Sequence, residues 1–200
     1  MQNIFTRHQL FQSDIYFADY TEYVRQGGKN PYAKGVVIDD HPFSQIESLL
    51  FKNPNHVQAV AVNFEEYSAF FKPDGVHKVR NCEGMLVSEE GNARRWLALV
   101  ELKYCKGNDA NIIANFEDAL DEIKKTFLYL RDEKKLFENS SYRFYWVISI
   151  PEHSEKIPFS AFVLTQDDLT DIKDKYSATL ISDNSVTIWT RSLIINPIYN

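Results

Sequence analysis

Residues 96–103, WLALVELK, constrain this chain more than any other stretch. Five apolar residues follow one another without a polar break, as in a strand buried on both faces, and then Glu101 and Lys103 enter the run. Side chains alternate along a strand. Leu97, Leu99, Glu101 and Lys103 therefore share one face, and Ala98, Val100 and Leu102 share the other. Upstream, Glu83, Met85 and Val87 share a face by the same parity, and the turn-forming residues 88–93 predict a hairpin between the two runs. A register that sets Glu83 across from Glu101 brings two carboxylates and an ammonium to one end of a buried sheet. Isolated charges there are costly, so they require a partner or a metal.

The next element is the most regular in the chain. Ile113, Phe116, Leu120, Ile123, Phe127 and Leu130 recur at steps of three and four, which predicts an amphipathic helix over 110–137, with Asn108 or Asp109 as its cap. A dimerising coiled coil is the lesser reading, because the seam spans under three heptads. Residues 142–150, YRFYWVISI, then read as a central strand.

This order resembles the PD-(D/E)XK nuclease superfamily: an acid heading a hairpin, an apolar strand ending in Glu101-Leu102-Lys103, and a long amphipathic helix. The resemblance implies an α/β, restriction-endonuclease-like fold with a mixed central sheet flanked by helices. It would form one domain over 1–200, with hairpin 82–104 and helix 110–137 as its core. It implies a metal-dependent nuclease acting first on DNA, with Glu83, Glu101 and Lys103 as catalytic residues. Mg²⁺ or Mn²⁺ would be held by Glu83, Glu101 and the Leu102 carbonyl. Glu83 stands where the family more often has Asp. The literal pair Pro73-Asp74 lies 27 positions before Glu101 and Glu83 only 18, so Asp74 is the reserve position. Glu47, on a helix read over 42–52, matches an additional acid that some members carry.

Other acid-x-lysine triplets occur at Glu122-Lys124, Asp132-Lys134, Glu133-Lys135 and Asp171-Lys173, all in helical contexts. Only Glu101-Leu102-Lys103 ends a long apolar strand with an acid one hairpin arm away. The chemistry suits the residue types. Carboxylate oxygens are hard donors for Mg²⁺, and a lysine offers a compact charge to a phosphate. Two further readings stand beside the nuclease: a catalytically weak binding or regulatory protein of the same fold, and an α+β interaction module with an accidental motif.

Composition sets the outer bounds. Two hundred residues with 44% hydrophobic content suit one full-sized core. No run of eighteen apolar residues and no signal-like N-terminus occur, so the chain is expected to be soluble and cytoplasmic. Cys82 and Cys105 flank the motif and read as small buried thiols; the five histidines show no zinc-like spacing. A net charge of −6 argues against a broad basic surface, although Arg94, Arg95, Lys103 and Lys106 cluster in the motif. Lys124 and Lys125 are further positions from which a phosphate backbone could be met. The expected partner is nucleic acid, DNA before RNA, with a second copy of the chain as a further candidate.

Elsewhere, residues 1–40 read as irregular, with a helix over 11–24. Residues 56–64 read as a strand, 65–71 as a helical turn and 166–176 as a short helix. Residues 178–181 and 186–194 read as a hairpin.

Overall fold

The computed structural model describes residues 4–25, 27–89, 95–104, 109–137, 141–152 and 164–195. The expected cap at Asn108, the basic residues Arg94 and Lys106, the thiol of Cys105 and much of the turn at 88–93 lie outside the described residues.

In chain order the elements begin with β1 (Gln9–Phe11), β2 (Ile15–Asp19), α1 (Tyr20–Arg25), β3 (Val36–Asp39), β4 (Leu49–Lys52) and β5 (Ala59–Asn63). The predicted hairpin follows as β6 (Gly84–Ser88) and β7 (Trp96–Leu102), then α2 (Asp109–Leu128) and β8 (Arg143–Ser149). The chain continues through α3 (Gln166–Tyr176), β9 (Ala178–Ser182), β10 (Ser185–Trp189) and β11 (Ser192–Ile195).

Two mixed sheets pack face to face. The larger has the strand order β1-β5-β6-β7-β8-β9, the smaller β11-β10-β4-β2-β3. Within the larger, β5, β6 and β7 form an antiparallel meander, and β7, β8 and β9 run parallel. Parallel neighbours need a crossover, and α2 supplies the one between β7 and β8. All seven residues of β7 are buried, as the apolar run requires.

The two faces of β6 and β7 lead to two cores. Met85, Val87, Leu97 and Leu99 pack beneath Phe116, Ile123 and Phe127 of α2, with Ile172 of α3 in the same cluster. Leu86, Ala98, Val100 and Leu102 meet Ile15, Phe17, Leu49 and Phe51 of the second sheet. Helices α2 and α3 therefore pack on one face of the central sheet, which was expected to be flanked by helices. The other face is covered by the second sheet, whose β2, β3 and β4 come from regions read as irregular or helical.

The reason is visible in the burial pattern. Ile15, Phe17 and Ala18 are buried around half-buried Tyr16, and β2 pairs with β3 and β4. The helix read over 11–24 survives only as α1. Likewise 42–52 forms no helix: Leu49 and Phe51 point into the core from β4, between β2 and β10. The hairpin read between 178–181 and 186–194 is also corrected. Strand β9 adds to the large sheet and β10 to the small one, so the turn at Asp183-Asn184 carries the chain between sheets. Helix α2 matches its periodicity and ends in a wider π turn at Tyr129–Glu133. Among the described residues, no helix is long and apolar enough to cross a membrane.

Candidate functional site

The hairpin ladder sets Gly84 opposite Val100 and Met85 opposite Leu99. One step further the same register sets Glu83 opposite Glu101. The two side chains cross between the strands: the Glu83 N–H donates to Glu101 Oε2 at 3.1 Å, and the Leu102 N–H donates to Glu83 Oε2 at 3.2 Å. Leu102 thus places its backbone against both acids while its side chain enters the core between the sheets.

Lys103 lies just past the strand end and is held from three sides. Its Nζ is 2.8 Å from Glu101 Oε1, 2.7 Å from Glu122 Oε2 and 3.3 Å from Asp118 Oδ2. Arg80 closes the outer side of this network, with its guanidinium 2.5 Å from Asp118 and 2.6 Å from Glu122. Asp118 and Glu122 are one helical turn apart on α2, so they face the same way. From the second sheet, Asp19 at the end of β2 brings its carboxylate to Glu83.

Six carboxylates (Asp19, Glu83, Glu101, Asp118, Glu122 and, on the outer side of Arg80, Asp121) gather around Lys103 and Arg80, and the imbalance falls on the hairpin acids. Burial pushes the Glu83 carboxyl well above the ordinary range, and the nearby charges of Glu101 and Asp19 push the same way. Glu101, 2% exposed, is pushed up by burial and by its hydrogen bond with Glu122, against the pull of Lys103. Burial works against the Lys103 charge, yet Glu101 and Glu122 raise its pKa above the ordinary lysine value. Asp118 and Glu122 are held low despite burial, by Arg80 and by Glu101 and Lys103 respectively. One ammonium shared among three carboxylates leaves the Glu83–Glu101 pair short of positive charge.

That deficit and the donor set fit a hard divalent cation. The donors here are carboxylate oxygens, the Cys82 thiol is buried and directed to the Gly84 carbonyl, and Mg²⁺ and Mn²⁺ favour oxygen. The donor atoms of Asp19, Glu83 and Glu101 do not all lie within 4.8 Å of one another. Among the described residues that compactness belongs to Asp39, Asp40 and His41, a surface group at the end of β3. A Mg²⁺ ion keeps several waters, so two carboxylates are a sufficient protein share.

The other sequence candidates fall away from the cluster. Asp74 is exposed in a turn, where its oxygens accept from the Val76 and His77 N–H groups, and the hydrogen bond with the His77 ring holds its carboxyl down to about 2. Glu47 lies in an exposed loop, and its carbonyl accepts from the Tyr104 hydroxyl at 2.7 Å. Lys124 sits over the Tyr176 ring, and Lys125 pairs with Asp121 on the outer side of Arg80.

Asp19, Arg80, Asp118 and Glu122 were missed by the sequence reading. Glu122 carries a recoverable signal, since it directly precedes Ile123 of the helix stripe, and Asp118 stands one turn before it on the same side. Asp19 carries none, because a different sheet delivers it. No protein-family model, curated protein or solved structure matches the chain.

Proposed function

We propose that the chain is a metal-dependent nuclease that hydrolyses phosphodiester bonds, DNA first, with Glu83, Glu101 and Lys103 at its centre. The observation that carries this reading is the pair of half-buried Glu83 and buried Glu101, short of positive charge, with Lys103 beside it at one sheet end. The order of meander, crossover helix and parallel strand supports a restriction-endonuclease-like fold of the PD-(D/E)XK kind.

Each residue then has a distinct task. Glu83 and Glu101, with the Leu102 carbonyl, would hold Mg²⁺ or Mn²⁺. A cation bound there supplies charge neutralisation and activation of water. The Lys103 ammonium stabilises the negative charge that grows on the phosphoryl oxygens. Glu122 and Asp118 fix where that ammonium stands.

The test is nicking of supercoiled plasmid and cleavage of single-stranded DNA and RNA with each metal. Lys103→Ala is expected to keep the fold and lose cleavage by a hundredfold or more, on the order of the loss seen when a transition-state donor is removed. Lys175→Ala, in an exposed pair with Asp171, serves as the control. Equal activity of wild type and Lys103→Ala on every substrate defeats the proposal.

One observation favours a second reading, a binding or regulatory protein built on the same frame. Lys103 has three carboxylate partners and must leave at least one to meet a phosphate. A wild type that binds DNA yet stays inert with both metals selects this alternative.

A further inference from the structure

A cleft of about 800 Å³ opens beside the acidic cluster, within the size range of small-ligand sites. Its wall is tied to the cluster through one residue. The Tyr104 hydroxyl donates to the Glu47 carbonyl at 2.7 Å and accepts from the Asp19 N–H at 3.4 Å, while Asp19 meets Glu83. Glu47 lines the cleft. Glu152, close enough for its charge to act on Tyr104, lines it as well.

Two features of the wall limit what it accepts. The first is aromatic surface: the half-buried rings of Tyr16, Tyr23 and Phe43 line the space. They are held by packing. Phe43 stands edge-on to Tyr20 and Tyr32 at 5.9 and 6.0 Å between centroids, and Tyr23 stands edge-on to Tyr20 at 5.9 Å. The Tyr23 ring also lies over the Gly28 backbone so closely that any side chain at 28 would collide with it. The second is charge: Glu47 and Glu152 are the charged residues of the lining, and both are acidic. A phosphate is repelled there. A flat neutral group with N–H donors on its edge is favoured, because rings stack on it and carboxylates accept from it.

We infer that this cleft takes an unpaired nucleobase bearing an exocyclic amine from a single-stranded DNA substrate, next to the phosphodiester held at the acidic cluster. The inference rests on the nuclease reading for the position of the phosphodiester. A base inside a duplex cannot reach such a wall without leaving its stack, so single strands gain and duplexes do not. Cytosine and adenine offer amino groups to Glu47 and Glu152, whereas thymine offers none.

Binding is read by fluorescence anisotropy with labelled twelve-residue strands of dC, dA and dT and with a duplex, in Ca²⁺ buffer. The dC and dA strands are expected to bind more tightly than dT, and the duplex least. Phe43→Leu and Tyr23→Leu should weaken dC binding on the order of tenfold while leaving duplex binding unchanged. Ser44→Trp, at an exposed rim position, should plug the cleft without disturbing the core if either ring variant fails to fold. Duplex binding equal to single-strand binding, or dC affinity unchanged in these variants, overturns the inference. Cleavage plays no part in this readout. A protein that binds as described but never cuts defeats the nuclease reading alone. One that cuts, with Phe43→Leu and Ser44→Trp binding dC like wild type, defeats the cleft alone.

Discussion

Lys103 and the two hairpin glutamates pull against each other, and that tension is measurable. Because Glu83 and Glu101 are raised in the folded protein, it binds protons that the unfolded chain has already released. From about pH 4.3, the ordinary glutamate value, up to their raised folded values, stability therefore falls as pH rises. Without metal, Glu83→Gln is expected to melt a few degrees above wild type at about pH 8 and to show a flatter profile down to about pH 5. A wild-type melting temperature that climbs steadily over that interval would contradict the assignment. Mn²⁺ should restore what burial costs. It is expected to raise the wild-type melting temperature by an amount that Glu101→Ala largely abolishes. Glu122→Gln belongs at the same scale. It keeps the shape but loosens the hold on Lys103, and is expected to lower kcat roughly tenfold with little change in KM, checked by steady-state cleavage kinetics.

Among the elements, β6 has the least freedom at its first residue. A side chain at Gly84 would place its Cβ 2.8 Å from the Val62 carbonyl oxygen of β5 and 3.2 Å from the Phe17 ring of the second sheet. The carbonyl belongs to the ladder and cannot move away without breaking pairing. Gly84→Ala is expected to cost about 1–3 kcal/mol, the range of overpacking in a well-filled core. It should also shift Glu83, so denaturation midpoint and Mn²⁺ affinity are expected to fall together. A variant as stable as wild type would show that the strands part more easily than the packing implies. Helix α2 answers differently. Its buried face is broad, and its polar edge delivers Asp118 and Glu122, so the element that roofs one core also supplies the site.

For the whole molecule, the central sheet is a partition between two cores, and the carboxylates gather where helix, hairpin and second sheet meet. The layer between the sheets should therefore matter as much as the layer under α2. Leu86 is fully buried there, and Leu86→Ala is expected to cost about 2–5 kcal/mol in urea unfolding. Leu10→Ala, on the edge strand β1 with 53% exposure, should fall within about 0.5 kcal/mol of wild type. Equal effects at both positions would mean that the second sheet adds little to the fold.

Residues 96–103 and 113–130 declared their structure locally. A five-residue apolar run is long enough to fix a buried strand, and a stripe of 3.6-residue period is long enough to fix a helix, whatever surrounds them. Same-face parity likewise predicted the meeting of Glu83, Glu101 and Lys103, because a hairpin register is a local property. Residues 15–19 and 49–52 declared nothing comparable. They are strands of five and four residues, too short for period to separate strand from helix, and pairing with distant partners settled them. The neighbours of the predicted triad lay beyond the sequence for the same reason. Asp19 reaches Glu83 only because β2 is laid across the hairpin, and Lys103 meets Glu122 only because α2 packs back over the strand that precedes it. Short-range periodicity chose the acids and the lysine, and long-range packing decided how much charge surrounds them.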